Sequence, residues 1–191
     1  MKAVIINLRQ LRLLLIVIPL LLIFILMFKY TLPESEEEHL AQPEPKKLYG
    51  EFITWEKTRQ YFNKYSSATV MDLDTGLQFN VQRRGGSSHA DVQPLTAEDT
   101  ATMKAIYNGK WSWKRRAVIV ELENGRKIAG SMNGMPHGRG AIAGNNFNGH
   151  SCIHFRDSTT HGSCKVDLAH QMMVWKAANM VEKQIKTLEP E

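Results

Sequence analysis

Five of the seven histidines and both cysteines fall between His137 and His170, and His137, His150, Cys152, His154 and His161 crowd into one short stretch of it. Imidazole beside thiol supports two kinds of chemistry. In the first, Cys152 is a nucleophile and His137 its general base, because only the thiolate attacks and an unperturbed thiol is mostly protonated at neutral pH. Glycines at 138, 140, 144 and 149 would let backbone N–H groups approach a developing oxyanion. In the second, the cluster holds zinc through His89, Asp91, His150, His154 and His161, with His137 and Cys152 also available and Asp91 either ligating or orienting His89. The sequence contains no HExxH and no paired CxxC, so this ligand set follows no established zinc spacing.

A strand over residues 150 to 155 sets His150, Cys152 and His154 on one face and Ser151, Ile153 and Phe155 on the other. One face is then chemical and the other core. Cys164 offers a third outcome, since it follows Cys152 closely in the chain and the two thiols can pair outside the cell. A Cys152–Cys164 disulfide would leave a noncatalytic cell-wall binding module. His39 and His170 fall outside this expected site, the first in a linker and the second on the last helix.

Met135-Pro136-His137-Gly138, followed after a short glycine-rich stretch by Gly149-His150-Ser151-Cys152-Ile153-His154, resembles in residue types and spacing the active-site signature of the L,D-transpeptidase catalytic family. The resemblance covers only the segment from Met135 to His154. It implies Cys152 as nucleophile, His137 as base and the Gly138 carbonyl as the group orienting the imidazole, with no cofactor. His150 falls where that family often has a histidine beside the nucleophile. Ser151 stands where the family has Gly, and His154 where it has a substrate-contacting Arg or Asn. Substrate contacts are accordingly expected from His150, Ser151 and His154, with Arg139 or Arg156 on the substrate carboxylate. The implied substrate is a peptidoglycan stem peptide. Trp111 and Trp113 are expected to pack, with a cleft wall as their other use.

Those residues need a frame. Residues 48 to 191 form one expected α+β domain, a mainly antiparallel sheet with flanking helices, preceded by one N-terminal transmembrane helix. Thr54 caps a short helix over 55 to 63, and Thr96 starts another that ends at Gly109. Asp74-Thr75-Gly76 and Glu123-Asn124-Gly125 read as the turns of two hairpins. Arg83 to Asp91, with its Gly85-Gly86 pair, reads as a binding loop. Asn133 to Gly149 is a long irregular loop, and a closing helix runs from Val166 to Lys186 with Val174, Ala178, Val181, Ile185 and Leu188 on its core stripe.

Leu13 to Phe28 is apolar except for Pro19, and about 20 such residues cross a bilayer. Lys2, Arg9 and Arg12 precede the run and Lys29 follows it, so residues 1 to 30 read as a cytoplasmic N-terminus and signal anchor. Residues 31 to 47, with five glutamates and three prolines, are the tether that follows. The charge balance excludes a nucleic-acid surface. Of 24 Lys and Arg against 19 Asp and Glu, four cations lie in the N-terminal segment, leaving 20 against 19. The expected partners are therefore the membrane and the stem peptide, with no nucleic acid, and the domain is extracytoplasmic.

Overall fold

In the computed structural model, residues 8–31 and 49–181 are described. The chain divides into two units at Lys47 and Leu48. In the first, α1 (Leu8–Thr31) is a helix of 24 residues that continues through Pro19. Among the described residues no helix is long and apolar enough to cross a membrane, the side chains of α1 being described without a break only over Val17–Met27. The tether and the stripe residues Ile185 and Leu188 lie outside the described residues.

The second unit is α+β, and its sheet is a closed barrel. Its elements are α2 (Trp55–Tyr61), β1 (Ser67–Asp72), β2 (Gln78–Gly85), β3 (Ala90–Pro94), α3 (Ala97–Ile106), β4 (Arg116–Leu122), β5 (Lys127–Met132), β6 (Ser151–His154) and α4 (Leu168–Ala177). The strands close in the order β1-β2-β3-β6-β5-β4, each pair antiparallel. Both hairpin turns form where the Gly residues permit left-handed backbone, Gly76 at φ 70° and Gly125 at φ 79°. Thr96 and Asp99 build a reciprocal capping box at the start of α3, which satisfies N–H groups the helix itself cannot.

Val70, Phe79, Val81, Val92, Val118, Val120, Met132 and Ile153 share one buried cluster with Trp55, Phe62 and Phe155. A second cluster joins Ala117, Ile119 and Ala129 to Val174 and Ala177 of α4. Strand β4 therefore buries alternate residues in the two clusters, which is why Ala117 to Val120 is continuously apolar instead of alternating. Asp72 is fully buried at the end of β1, where Arg116 donates from Nε at 2.9 Å and Nη2 at 2.5 Å. Its carboxylate also accepts from the Thr75 N–H.

Three expectations change. The segment from Arg83 to Asp91 is not one loop, since β2 continues to Gly85 through a register shift and β3 begins at Ala90. Strand β3 carries one β-branched residue, Val92, and ends on Pro94, so local propensity gives little sign of it. The closing helix begins at Leu168 and is interrupted after Ala177, where Ala178 caps it and Asn179 turns into left-handed backbone at φ 56°; its expected end at Lys186 lies outside the described residues. The last strand is one residue shorter at each end than expected. His150 pairs with His137 in an isolated bridge ahead of β6.

Candidate active site

Strand β6 lies between β3 and β5, with Cys152 opposite Asp91, Ile153 opposite Ala90 and Met132, and His154 opposite Ser131. The alternation of the strand sends Ile153 into the core and leaves Cys152 and His154 on the other face with Asp91. The bridge between His137 and His150 then folds the loop from β5 back over β6. Each residue donates its N–H to the other's carbonyl, at 2.9 and 2.8 Å.

Two glycines permit that closeness. A Cβ on Gly149, at φ 125°, would overlap the His137 carbonyl, and one on Gly138, at φ 61°, would overlap the His150 ring. The result brings His137 Nε2 to 3.2 Å from Cys152 Sγ. His137 Nδ1 lies 2.8 Å from the Met135 carbonyl, which only accepts, so Nδ1 carries the proton and Nε2 faces the sulfur as an acceptor. The orienting carbonyl belongs to Met135, not Gly138. Half-exposed Trp113 covers the other side, its ring 5.0 Å from that of His137, while Trp111 packs on Phe147.

Asp91 is the hub of the site. Its Oδ1 lies 3.2 Å from His161 Nε2, 3.5 Å from His89 Nε2 and 3.7 Å from His150 Nε2, and the Cys152 sulfur stands 3.9 Å from it. Burial works to raise the Asp91 carboxyl, but the His89 hydrogen bond and the neighbouring imidazoles hold it below the usual carboxylate range. Burial pushes the Cys152 thiol well up, and the Asp91 charge adds to that. Burial likewise lowers His137, with His150 adding to it and the Met135 bond opposing. The resting pair is thus a neutral thiol and a neutral imidazole.

His161 reaches the site on a turn that Thr160 and Lys165 close by a backbone bond of 3.0 Å. The turn is tied to β3: Thr159 donates to the Ser88 carbonyl at 3.1 Å, and the Thr159 carbonyl accepts from His89 Nδ1 at 2.7 Å. His89, Asp91, Cys152 and His161 each place one ligand atom within 4.8 Å of the others, a group that could hold a metal. His137, His150 and Cys152 make a second such group. Cys152 belongs to both.

Several expected site residues stand elsewhere. His154 is buried and stacks between His89, with ring centroids 4.3 Å apart, and His170, 3.7 Å apart. It is not itself among the metal-capable residues, but its ring backs His89, which is. Ser151 is fully buried with no partner for Oγ among the described residues. Arg156 pairs with Asp157 at 3.4 Å and covers Phe52. Arg139 remains exposed beside the site, its carbonyl accepting from His150 Nδ1 at 3.2 Å. Both cysteines are free thiols, Cys152 buried and Cys164 exposed, which removes the disulfide expectation.

His170 belongs to this neighbourhood although its sequence surroundings do not announce it. It sits on α4 and shares a 2.8 Å hydrogen bond with Ser131, fixing the far end of the imidazole stack. Its position three residues after the helix cap Asp167 is readable, but nothing local points it toward His154. No protein family, curated protein or solved structure matches this chain.

Proposed function

We propose that the barrel is a cysteine-dependent acyl transferase acting on peptidoglycan stem peptides, held outside the cell by α1. The observation that carries the chemistry is the 3.2 Å approach of His137 Nε2 to Cys152 Sγ with Nδ1 occupied by Met135. A base must lie within hydrogen-bond reach of the proton it takes and be fixed in the correct tautomer. Both conditions are met.

In the first step the Cys152 proton passes to His137 Nε2 as sulfur bonds to the donor carbonyl carbon. Collapse of the tetrahedral adduct breaks the bond to the terminal D-amino acid, whose nitrogen takes the proton from His137, leaving a thioester. An acceptor amine then attacks the thioester, gives its proton to His137, and sulfur leaves to recover the thiol. Exposed Arg139 is the group nearest this loop suited to a substrate carboxylate. The substrate class rests on the sequence resemblance at His137, Gly138 and Cys152. It agrees with the apolar run from Leu13 to Phe28 and the cations ahead of it.

The test is intact-mass analysis of the full-length chain in detergent with a stem tetrapeptide and a chelator. A thioester adduct that adds the mass of the peptide less its free terminal amino acid is expected on the wild type and absent from Cys152→Ala. A wild type that stays unmodified while its thiol remains titratable would falsify the reading.

A further inference from the structure

Cys152 Sγ faces His137 on one side and, on the other, a convergence of lone pairs that acyl transfer does not use. His89 Nδ1 is held by the Thr159 carbonyl at 2.7 Å, which fixes the ring with Nε2 directed toward Asp91 and His161. His89 Nε2 and His161 Nε2 are 2.9 Å apart, His161 Nε2 and Asp91 Oδ1 are 3.2 Å, and His89 Nε2 and Asp91 Oδ1 are 3.5 Å. Cys152 Sγ stands 3.9 Å from the same oxygen. With metal–nitrogen bonds of about 2.0–2.1 Å, ligand atoms on a tetrahedral zinc are about 3.3 Å from one another. The observed separations bracket that value.

We propose that His89, Asp91, Cys152 and His161 form a four-ligand site for a zinc-type divalent cation, and that filling it withdraws Cys152 from reaction. This inference takes the Cys152 nucleophile from the proposed acyl transfer. The metal–sulfur bond forms as the thiol proton leaves to solvent, and the sulfur lone pair that would attack a carbonyl is engaged. Four protein ligands complete a tetrahedral zinc and leave no position for the water that a zinc hydrolase must activate. The set is therefore that of a closed site, which switches off the thiol instead of supplying a hydrolytic centre. Three ligands are held by the barrel or by backbone tied to it, while His161 is half exposed on its turn and gives the ion its way in.

Cobalt(II) and zinc(II) added to the metal-free full-length chain in detergent test this. Cobalt is expected to bind one per chain with a thiolate-to-metal absorption band in the near ultraviolet, lost in Cys152→Ser and kept in Cys164→Ser. Equimolar zinc is expected to suppress iodoacetamide labelling of Cys152, and a chelator to restore it. His161→Ala, on an exposed turn where folding is least at risk, should need on the order of 10–100-fold more zinc for equal protection, whereas His137→Ala should not. Labelling unaffected by zinc, or protection unchanged in His161→Ala, overturns the proposal. Protection lost in His137→Ala but kept in His161→Ala overturns it too, by moving the ion to the His137 and His150 side. The thioester adduct is read in chelator and the cobalt band without peptide, so either can fail without the other.

Discussion

His137 and His150 are joined by two backbone hydrogen bonds, 2.9 and 2.8 Å, although a whole loop separates them in the chain. That one rung converts a glycine-rich loop into a fixed support for the His137 imidazole. Without it the 3.2 Å approach to Cys152 would rest on the Met135 carbonyl and the Trp113 ring alone.

Gly149→Ala is therefore expected to be costly although it removes no apolar contact. The new methyl would meet the His137 carbonyl at a backbone angle that alanine rarely adopts, a strain of about 1–3 kcal/mol. Thermal melting should fall, and the rate of thioester formation should fall by more than the melting shift explains. An unchanged adduct rate would show that the rung does not position His137.

His137→Gln keeps a polar side chain but no base. General-base assistance is worth about 10²–10⁴-fold, so single-turnover thioester formation should slow by that range while Cys152 remains alkylatable. A variant as fast as wild type would remove His137 from the mechanism.

The environment of Cys152 gives a prediction of opposite sign to that for a preactivated thiol. Burial and the Asp91 charge both push the thiol up, so in chelator its alkylation should be slow at neutral pH and still rising above about pH 8.5, the ordinary thiol value. Asp91→Asn removes the negative charge and should speed labelling at a given pH. If labelling slows, the carboxylate is helping to form the thiolate instead of opposing it.

The stacked imidazoles set an acid limit. Burial lowers His170 to about 4, and burial with the adjacent His170 pushes His154 down further. An unfolded histidine titrates near about 6.5, so below that value the unfolded chain binds protons that the folded one refuses. Stability should be level above about pH 6.5 and fall as pH drops toward 4, by about 1.4 kcal/mol per pH unit for each histidine. His170→Gln should reduce that slope by one proton even if the variant is weaker throughout. Urea melts across pH 4 to 8 in chelator measure both.

Asp72 shows where the barrel itself is vulnerable. It is wholly buried between Arg116 and Thr75, and Asp72→Ala leaves Arg116 without its carboxylate. Because about a fifth of Arg116 remains exposed, the expected loss is about 3 kcal/mol, the lower end for breaking such a pair. Chemical denaturation is the check, with Cys152 labelling at low denaturant showing whether the site survives.

The parts of this arrangement legible in the sequence are those written into short stretches of chain. His137-Gly138 and Gly149 to Cys152 show their relation because the rung joins neighbouring segments, and Asn124-Gly125 marks its own turn. Asp91 is visible as a polar residue near His89, but its place opposite Cys152 depends on β3 pairing with a strand far along the chain, for which local propensity holds no signal. The same long-range pairing closes the barrel. His154 reads as a substrate contact because it stands where the resembled family has Arg or Asn, and alternation places it on the face of Cys152. Alternation cannot tell that α4 covers that end of the strand with His170.

Closure also decides how a peptide can arrive. Every strand of the barrel has a neighbour on both sides, so no free backbone edge is offered for an extended chain to join as an extra strand. Under the proposed acyl transfer, an incoming peptide would be gripped by side chains and loop backbone around Trp113, Arg139 and the His161 turn. Sequence preference at this site is then a matter of a few contacts near the scissile bond, with little read from the length of peptide beyond it.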